Sequence, residues 1–197
     1  AGQTSRTVTV LVAGDTEVER TEDFRVVLSN PVGAKITTAS MTRSILSDDG
    51  LLTITPVNAT RFENEGGGLT PFTFLLTRTG GDAIELAAVA AVQEVNAPGI
   101  TTANSDFGIG ALPSMATGLL VGQTSRVISI TVADDPYAEG DEHFDVALLS
   151  PNQGTQVSGP ARGIIRDDES FYSGPGVPTL VGTGGNDLFI LGPGSTV

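Results

Sequence analysis

The chain contains no cysteine and no tryptophan, and it has a single histidine among 197 residues. Without cysteine there is no disulfide, no thiolate zinc site and no cysteine nucleophile. With one histidine, His143, an imidazole-rich metal centre is ruled out. A Ser-His-Asp triad would need a partnered serine that nothing in the sequence identifies, and His143 reads as a solvent-facing residue at the start of a strand. Aromatic residues make up only 5% of the chain, too few to line a carbohydrate cleft, so paired carboxylates do not read as a glycosidase site. No GxSxG, phosphate-binding loop or dinucleotide fingerprint occurs. No apolar run approaches the roughly 20 residues of a membrane span.

Basic residues are also scarce. Ten Lys and Arg stand against 23 Asp and Glu, a net charge of −13. Recognition of phosphate backbones or anionic lipid surfaces needs a basic face, so nucleic acid and membranes are disfavoured as partners. An acidic chain of ordinary hydrophobicity is either a solubilised surface or a binder of cations.

What is present is a repeat. Residues 2–28 (GQTSRTVTVLVAGDTEVERTEDFRVVL) return as residues 122–148 (GQTSRVISITVADDPYAEGDEHFDVAL), an ungapped offset of 120. Each copy runs from a β-type stretch through an acidic loop into a second β-type stretch. Each is followed later by an acidic pair, Asp48-Asp49 or Asp167-Asp168. The first copy reads as the C-terminal part of a repeat, residues 1–50. A complete repeat spans 51–169, and residues 170–197 form a Gly/Pro linker and tail. A half-repeat would expose an apolar face and open strand edges. It is therefore expected to pack on a neighbour, to swap with another chain, or to be poorly ordered.

Alternation with period 2 dominates: Val8, Val10, Val12; Phe72, Phe74, Leu76; Ile128, Ile130, Val132; Phe144, Val146, Leu148. Short strands of this kind between Gly, Pro, Asn and Asp turns predict an all-β, immunoglobulin-like antiparallel sandwich with Greek-key connections. Residues 84–92 (IELAAVAAV) have helical propensity, but their place between strand-like segments predicts a strand.

Strand parity then gathers the acids. If strands 51–57, 84–92, the one ending at Ala133 and the one ending at Arg166 all run upward, the loops that follow them lie at one end. Those loops carry Glu63, Glu65, Asp106, Asp134, Asp135, Glu139, Glu142, Asp167, Asp168 and Glu169. Two carboxylates about 4 Å apart repel by roughly 4 kcal/mol at an effective dielectric near 20. They must splay into water or share a cation. Ca²⁺, which takes oxygen ligands in flexible geometry, suits loop carboxylates better than Mg²⁺ or a transition metal.

At these residues the chain resembles the Calx-beta domains. The matching pattern is an EG-type loop, then FTFLLTRTG, ANSDF, GQTSRVISITVADDPYAEGDEHFDVALLSP and GIIRDDE. The resemblance implies a sandwich that binds Ca²⁺ in the loops at one end. Its carried-over metal ligands are Glu65, Asp106, Asp134, Asp135, Glu139, Glu142, Asp167 and Asp168, with Glu169 in place of a third Asp. In the first copy Asp15, Glu19, Glu22, Asp48 and Asp49 match, while Gly14 and Gly50 stand where acids are expected, which implies a weak or empty site. Residues 182–189 (GTGGNDLF) resemble one turn of the RTX, or hemolysin-type, calcium-binding repeat. Together these resemblances imply a non-enzymatic structural or adhesion module of a large bacterial protein, secreted by a type I route or held at the cell surface. The expected partners are calcium ions, neighbouring Calx-beta and RTX domains, and a cell-surface or extracellular ligand. The alternative is a calcium-independent spacer or adhesion repeat with degenerate sites.

Overall fold

A computed structural model describes residues 2–63, 68–94, 104–107, 111–134, 140–167, 171–173 and 189–191. Two sheets pack face to face. One has the order β10-β3-β5-β8, built from β3 (Gly50–Asn58), β5 (Thr70–Gly80), β8 (Ser125–Val132) and β10 (Thr155–Val157). The other has the order β4-β11-β9-β6-β7, built from β4 (Thr60–Phe62), β6 (Leu86–Glu94), β7 (Ser114–Leu119), β9 (Glu142–Leu149) and β11 (Ala161–Arg166). This is the all-β sandwich that period-2 patterning predicts. The main ladders are antiparallel. Two short parallel pairings, β10 on β3 and β4 on β11, each cover one edge of a sheet.

The inward positions follow the alternation. Phe72, Phe74 and Leu76 of β5, Ile128, Ile130 and Val132 of β8, and Phe144, Val146 and Leu148 of β9 are all buried. Phe144 is the hub. Its ring meets Phe72, Phe74 and Phe107 edge-on, with centroids 5.4, 6.1 and 5.4 Å away. Such pairs contribute about 0.5–1.5 kcal/mol each beyond area burial. Gly163 on β11 lies opposite Phe144, and a Cβ there would collide with the ring. The Ala-rich segment forms β6, which pairs with β7 on one side and β9 on the other. Ladder bonds on both edges override its helical propensity, and the small Ala88 and Ala90 fill a closely packed face.

In the N-terminal copy, β1 (Glu22–Val27) pairs antiparallel with β2 (Ser40–Ile45). The register repeats that of β9 and β11 at the offset of 120: Glu22 faces Ile45 as Glu142 faces Ile165, and Phe24 faces Arg43 as Phe144 faces Gly163. The strand expected at residues 7–12 is not formed. The reason is a missing ladder: its counterpart β8 is held by β5 along eight residue pairs, and among the described residues no strand pairs with residues 7–12. In the tail, β12 (Phe171–Ser173) pairs in parallel with β13 (Phe189–Leu191). The RTX-like turn before β13 lies outside the described residues.

Candidate metal centre

Seven strands alternate direction as the parity argument requires, so the connections after β3/β4, β6, β8 and β11 meet at one end of the sandwich. Asp106 lies in a 3-10 turn (Asn104–Phe107) between β6 and β7 and is 2% exposed. Its carbonyl accepts the Ala133 N–H, which pins the turn to the residue before Asp134. Phe107, packed on Phe144, anchors the same turn to the core. Glu142 opens β9, buried and facing Ile165. Asp167 follows β11, and its carboxylate accepts the Gly140 N–H at 2.8 Å. Asp134 follows β8 and is exposed.

Glu63 is absent from the ligand set that the family resemblance implies. It is buried just past β4. Its N–H donates to the Arg166 carbonyl at 3.2 Å, and its own carbonyl accepts the Thr70 hydroxyl. The available signal was parity alone, which puts Glu63 beside Glu65 in the same loop. The parallel pairing of β4 with β11, which brings Glu63 next to Asp167, leaves no mark in three residues of sequence.

Glu65, Asp135, Glu139, Asp168 and Glu169 lie outside the described residues. Among the described residues, no group of three acidic or histidine side chains forms a metal centre. The donor set nevertheless fits a hard cation: every candidate supplies oxygen, and Asp106 and Glu142 are buried carboxylates. Burial of a carboxylate is costly unless charge or hydrogen bonds offset it. A cation held by Asp106, Asp134, Glu142 and Asp167 would supply positive charge and draw together the loops that carry them.

The acids of the first copy lie in a different setting. Asp15, Glu17, Glu19, Glu22, Asp48 and Asp49 line a cavity of about 190 Å³. The Glu19 carboxyl is pushed above the ordinary range, first by Asp15, then by Glu22, by loss of solvent and by Glu17. These loops abut the opposite end of the sandwich. Gly50 N–H donates to Gly154 O at 2.8 Å, Ala83 N–H to Ser47 O at 3.2 Å, and Gln156 Nε2 to Thr16 O at 2.8 Å. Ser47 Oγ donates to Glu19 O at 2.9 Å and accepts the Gly81 N–H at 3.3 Å. Gly80 (φ 67°) and Gly154 (φ 77°) have left-handed backbones, and a Cβ at either would strike the carbonyl of Glu19 or Asp48. Ser47 directly precedes Asp48 and Asp49, the pair that matches Asp167 and Asp168, and its hydroxyl binds the joint.

Fold and site thus define a β-sandwich with an acidic loop end. The chain belongs to the Calx-beta domain family, which matches residues 1–50 and 120–169, together about half of its length. Extracellular matrix protein 3 of Lytechinus variegatus is 28% identical over 173 residues, which cover 85% of this chain and 5% of that protein. The chain therefore spans only a small fraction of this curated relative. Among solved structures, the apo-form Calx CBD1 domain superposes with a TM-score of 0.47 at 22% identity, covering 60% of this chain and 98% of that one. CBD12 from CALX1.2 superposes with a TM-score of 0.48 at 22% identity, covering 61% and 47%. Calx-beta domains are calcium-binding modules and not catalysts. No helix among the described residues is long and apolar enough to cross a membrane.

Proposed function

We propose that the chain is a calcium-binding structural module of a larger extracellular protein, with a complete Calx-beta domain at 51–169 and the C-terminal half of another at 1–50. Ca²⁺ would bind among Glu65, Asp106, Asp134, Asp135, Glu139, Glu142, Asp167, Asp168 and Glu169. The observation that carries this reading is the tying of four separate acidic connections to one end, through the Ala133–Asp106, Gly140–Asp167 and Glu63–Arg166 hydrogen bonds. Bound calcium would cancel carboxylate repulsion and stiffen the loops. The extracellular matrix relative supports placement outside the cell, where dissociation constants of roughly 10⁻⁴–10⁻³ M suffice. The RTX-like turn adds the finer reading of a large bacterial protein exported by a type I route, with neighbouring Calx-beta and RTX domains as partners in the same chain. Calorimetric titration of the full chain with Ca²⁺ tests the proposal; absence of binding heat at millimolar Ca²⁺ would refute it.

A second reading has its own observation. In the joint between the copies, the Ser47 hydroxyl binds Glu19 O and Gly81 N–H, and direct backbone hydrogen bonds span the contact. That joint works as a calcium-independent spacer contact, while calcium acts at the other end of the sandwich. Unchanged order at the joint after chelation is the outcome this reading requires.

A further inference from the structure

The last residues of β3 break its alternation. Gly50, Leu52 and Ile54 are buried, so a strict period of 2 would aim Asn58 toward the core. The ladder to β5 slips by one residue instead: Pro56 pairs with Phe74, but Asn58 pairs with Thr73. Val57 is the extra residue of a bulge, a device that re-aims the side chains beyond it. Phe72 and Phe74 are buried and Thr73 lies between them on the other face, so Asn58 takes the outward side and is exposed. Ala59 then turns inward, 5% exposed, and its carbonyl accepts the Ile164 N–H at 2.7 Å. Thr60, which opens β4, is exposed again.

Asn58-Ala59-Thr60 is the single Asn-X-Ser/Thr triplet of the chain with X other than Pro. That triplet is the acceptor pattern for N-glycosylation, which needs a reachable carboxamide and a hydroxyl two residues on. The bulge supplies both, and it buries the residue between them. Among the described residues, neither the Asn58 carboxamide nor the Thr60 hydroxyl is held by a hydrogen bond. Asn152 is the contrast: its carboxamide accepts the Ala87 N–H and donates to Glu85 O, both at 2.9 Å, and so is committed to a turn.

There is also room for a sugar. Asn58 and Thr60 line a cavity of about 500 Å³ together with Val57, Arg162 and Ile164. That volume lies in the range of small-molecule sites. Arg162 uses two of its five N–H donors on Asp145, at 2.9 and 3.2 Å, which leaves three. Two aliphatic side chains beside unused donors suit a pyranose, whose ring has C–H patches and a rim of hydroxyls.

We propose that Asn58 is a site of N-linked glycosylation. The co-substrate is a sugar activated as a phosphate ester, carried on a nucleotide or on a lipid. In the transfer, the Asn58 Nδ2–C1 bond forms and the C1–O bond to phosphate breaks. The phosphate leaves with that electron pair, and one amide proton passes to a base of the transferase. Calcium has no part in this step. A bare Asn58 would leave the calcium reading standing, and a failed calcium titration would leave the glycan standing.

The test is mass spectrometry of the protein isolated from its own organism. Trypsin cuts after Arg43 and Arg61 and releases residues 44–61, which contain the whole triplet. The expected result is a sugar increment on most of this peptide, located to Asn58 by fragmentation. An N-acetylhexosamine on the amide identifies a lipid-linked donor, and a lone hexose a nucleotide-linked one; either supports the proposal. Thr60→Ala, made in the same organism, keeps the amide and should lose at least nine-tenths of the increment, while Thr60→Ser should keep it. A bare peptide overturns the proposal, as does a sugar located to Thr53, Thr55 or Thr60, or an increment that survives Thr60→Ala. If Thr60→Ala does not accumulate, Asn58→Gln gives the deciding reading: an increment retained on residues 44–61 rejects the site.

Discussion

The backbone N–H of Gly140 donates to Oδ2 of Asp167 at 2.8 Å, binding the end of the loop after β8 to the end of β11. An N–H held by a carboxylate is a stronger anchor than one held by a neutral acceptor. Asp167 therefore has two separable roles, as a loop tie and as a cation ligand. Asp167→Ala should lower stability in chelator by about 1–3 kcal/mol, the penalty for a part-buried N–H left without its acceptor. Asp167→Asn keeps an acceptor and should lose much less in chelator, yet lose the calcium-dependent increment as fully as the alanine variant. Chemical denaturation with and without Ca²⁺ separates the two.

The joint makes its own demand. Gly80→Ala or Gly154→Ala places a methyl group against the carbonyl of Glu19 or Asp48 and strains a left-handed backbone. The expected outcome is faster exchange at the Gly50 and Ala83 amides and a broader distribution of molecular dimensions in small-angle scattering. The amides of β5 and β9, away from the joint, should keep their protection.

Arg78 is a structural cation in a chain that has few. Its guanidinium donates to the carbonyls of Gly81, Ile84, Leu119, Leu120 and Gln123, drawing together the β5–β6 and β7–β8 turns at the end of the sandwich that faces the joint. Arg78→Ala leaves those carbonyls short of donors and should cost about 2–4 kcal/mol by denaturant melting. Arg78→Lys, with a compact ammonium in place of a planar fork, should recover less than half of that loss.

Sequence patterning made the sandwich legible because burial on one face imposes period 2 on β5, β8 and β9, and strand parity then follows from counting. The same alternation misled at residues 7–12, where Val8, Val10 and Val12 have the pattern of a strand but lack the ladder partner that β5 gives to β8. The three-residue strands β4 and β10 are too short to show periodicity. Glu63 was legible only as one of several acids in a loop, since its burial depends on β4 lying parallel to β11. Ser47, Gly80 and Gly154 read as ordinary turn residues, because the joint they build is a contact between parts of the chain far apart in sequence. Arg78 carried no signal either: its targets are backbone carbonyls, which every residue has.

Glu19 gives a pH signature. Its folded-state pKa is raised above the unfolded value of 4.5, chiefly by Asp15. The folded chain thus holds the proton more tightly, and repulsion opposes the folded arrangement above the raised value. That penalty disappears as pH falls through it. Glu19→Gln should therefore slow exchange at the joint amides at pH 7. The difference from the parent chain should shrink as pH approaches 4.5 and also in 1 M salt, where screening acts over about 3 Å. An undiminished difference at both limits would show that repulsion is not the cause.

The measurement that bears most directly on the central claim is thermal unfolding of the full chain in millimolar Ca²⁺ and in chelator. A ligand at ten times its dissociation constant stabilises by about 1.4 kcal/mol. For a chain of this size that corresponds to a rise in Tm of about 3–6 °C. The account predicts such a rise, and predicts that Asp134→Ala, a change at an exposed position, removes most of it while leaving the Tm in chelator unchanged. Superimposable melting curves with Ca²⁺ and with chelator would contradict it.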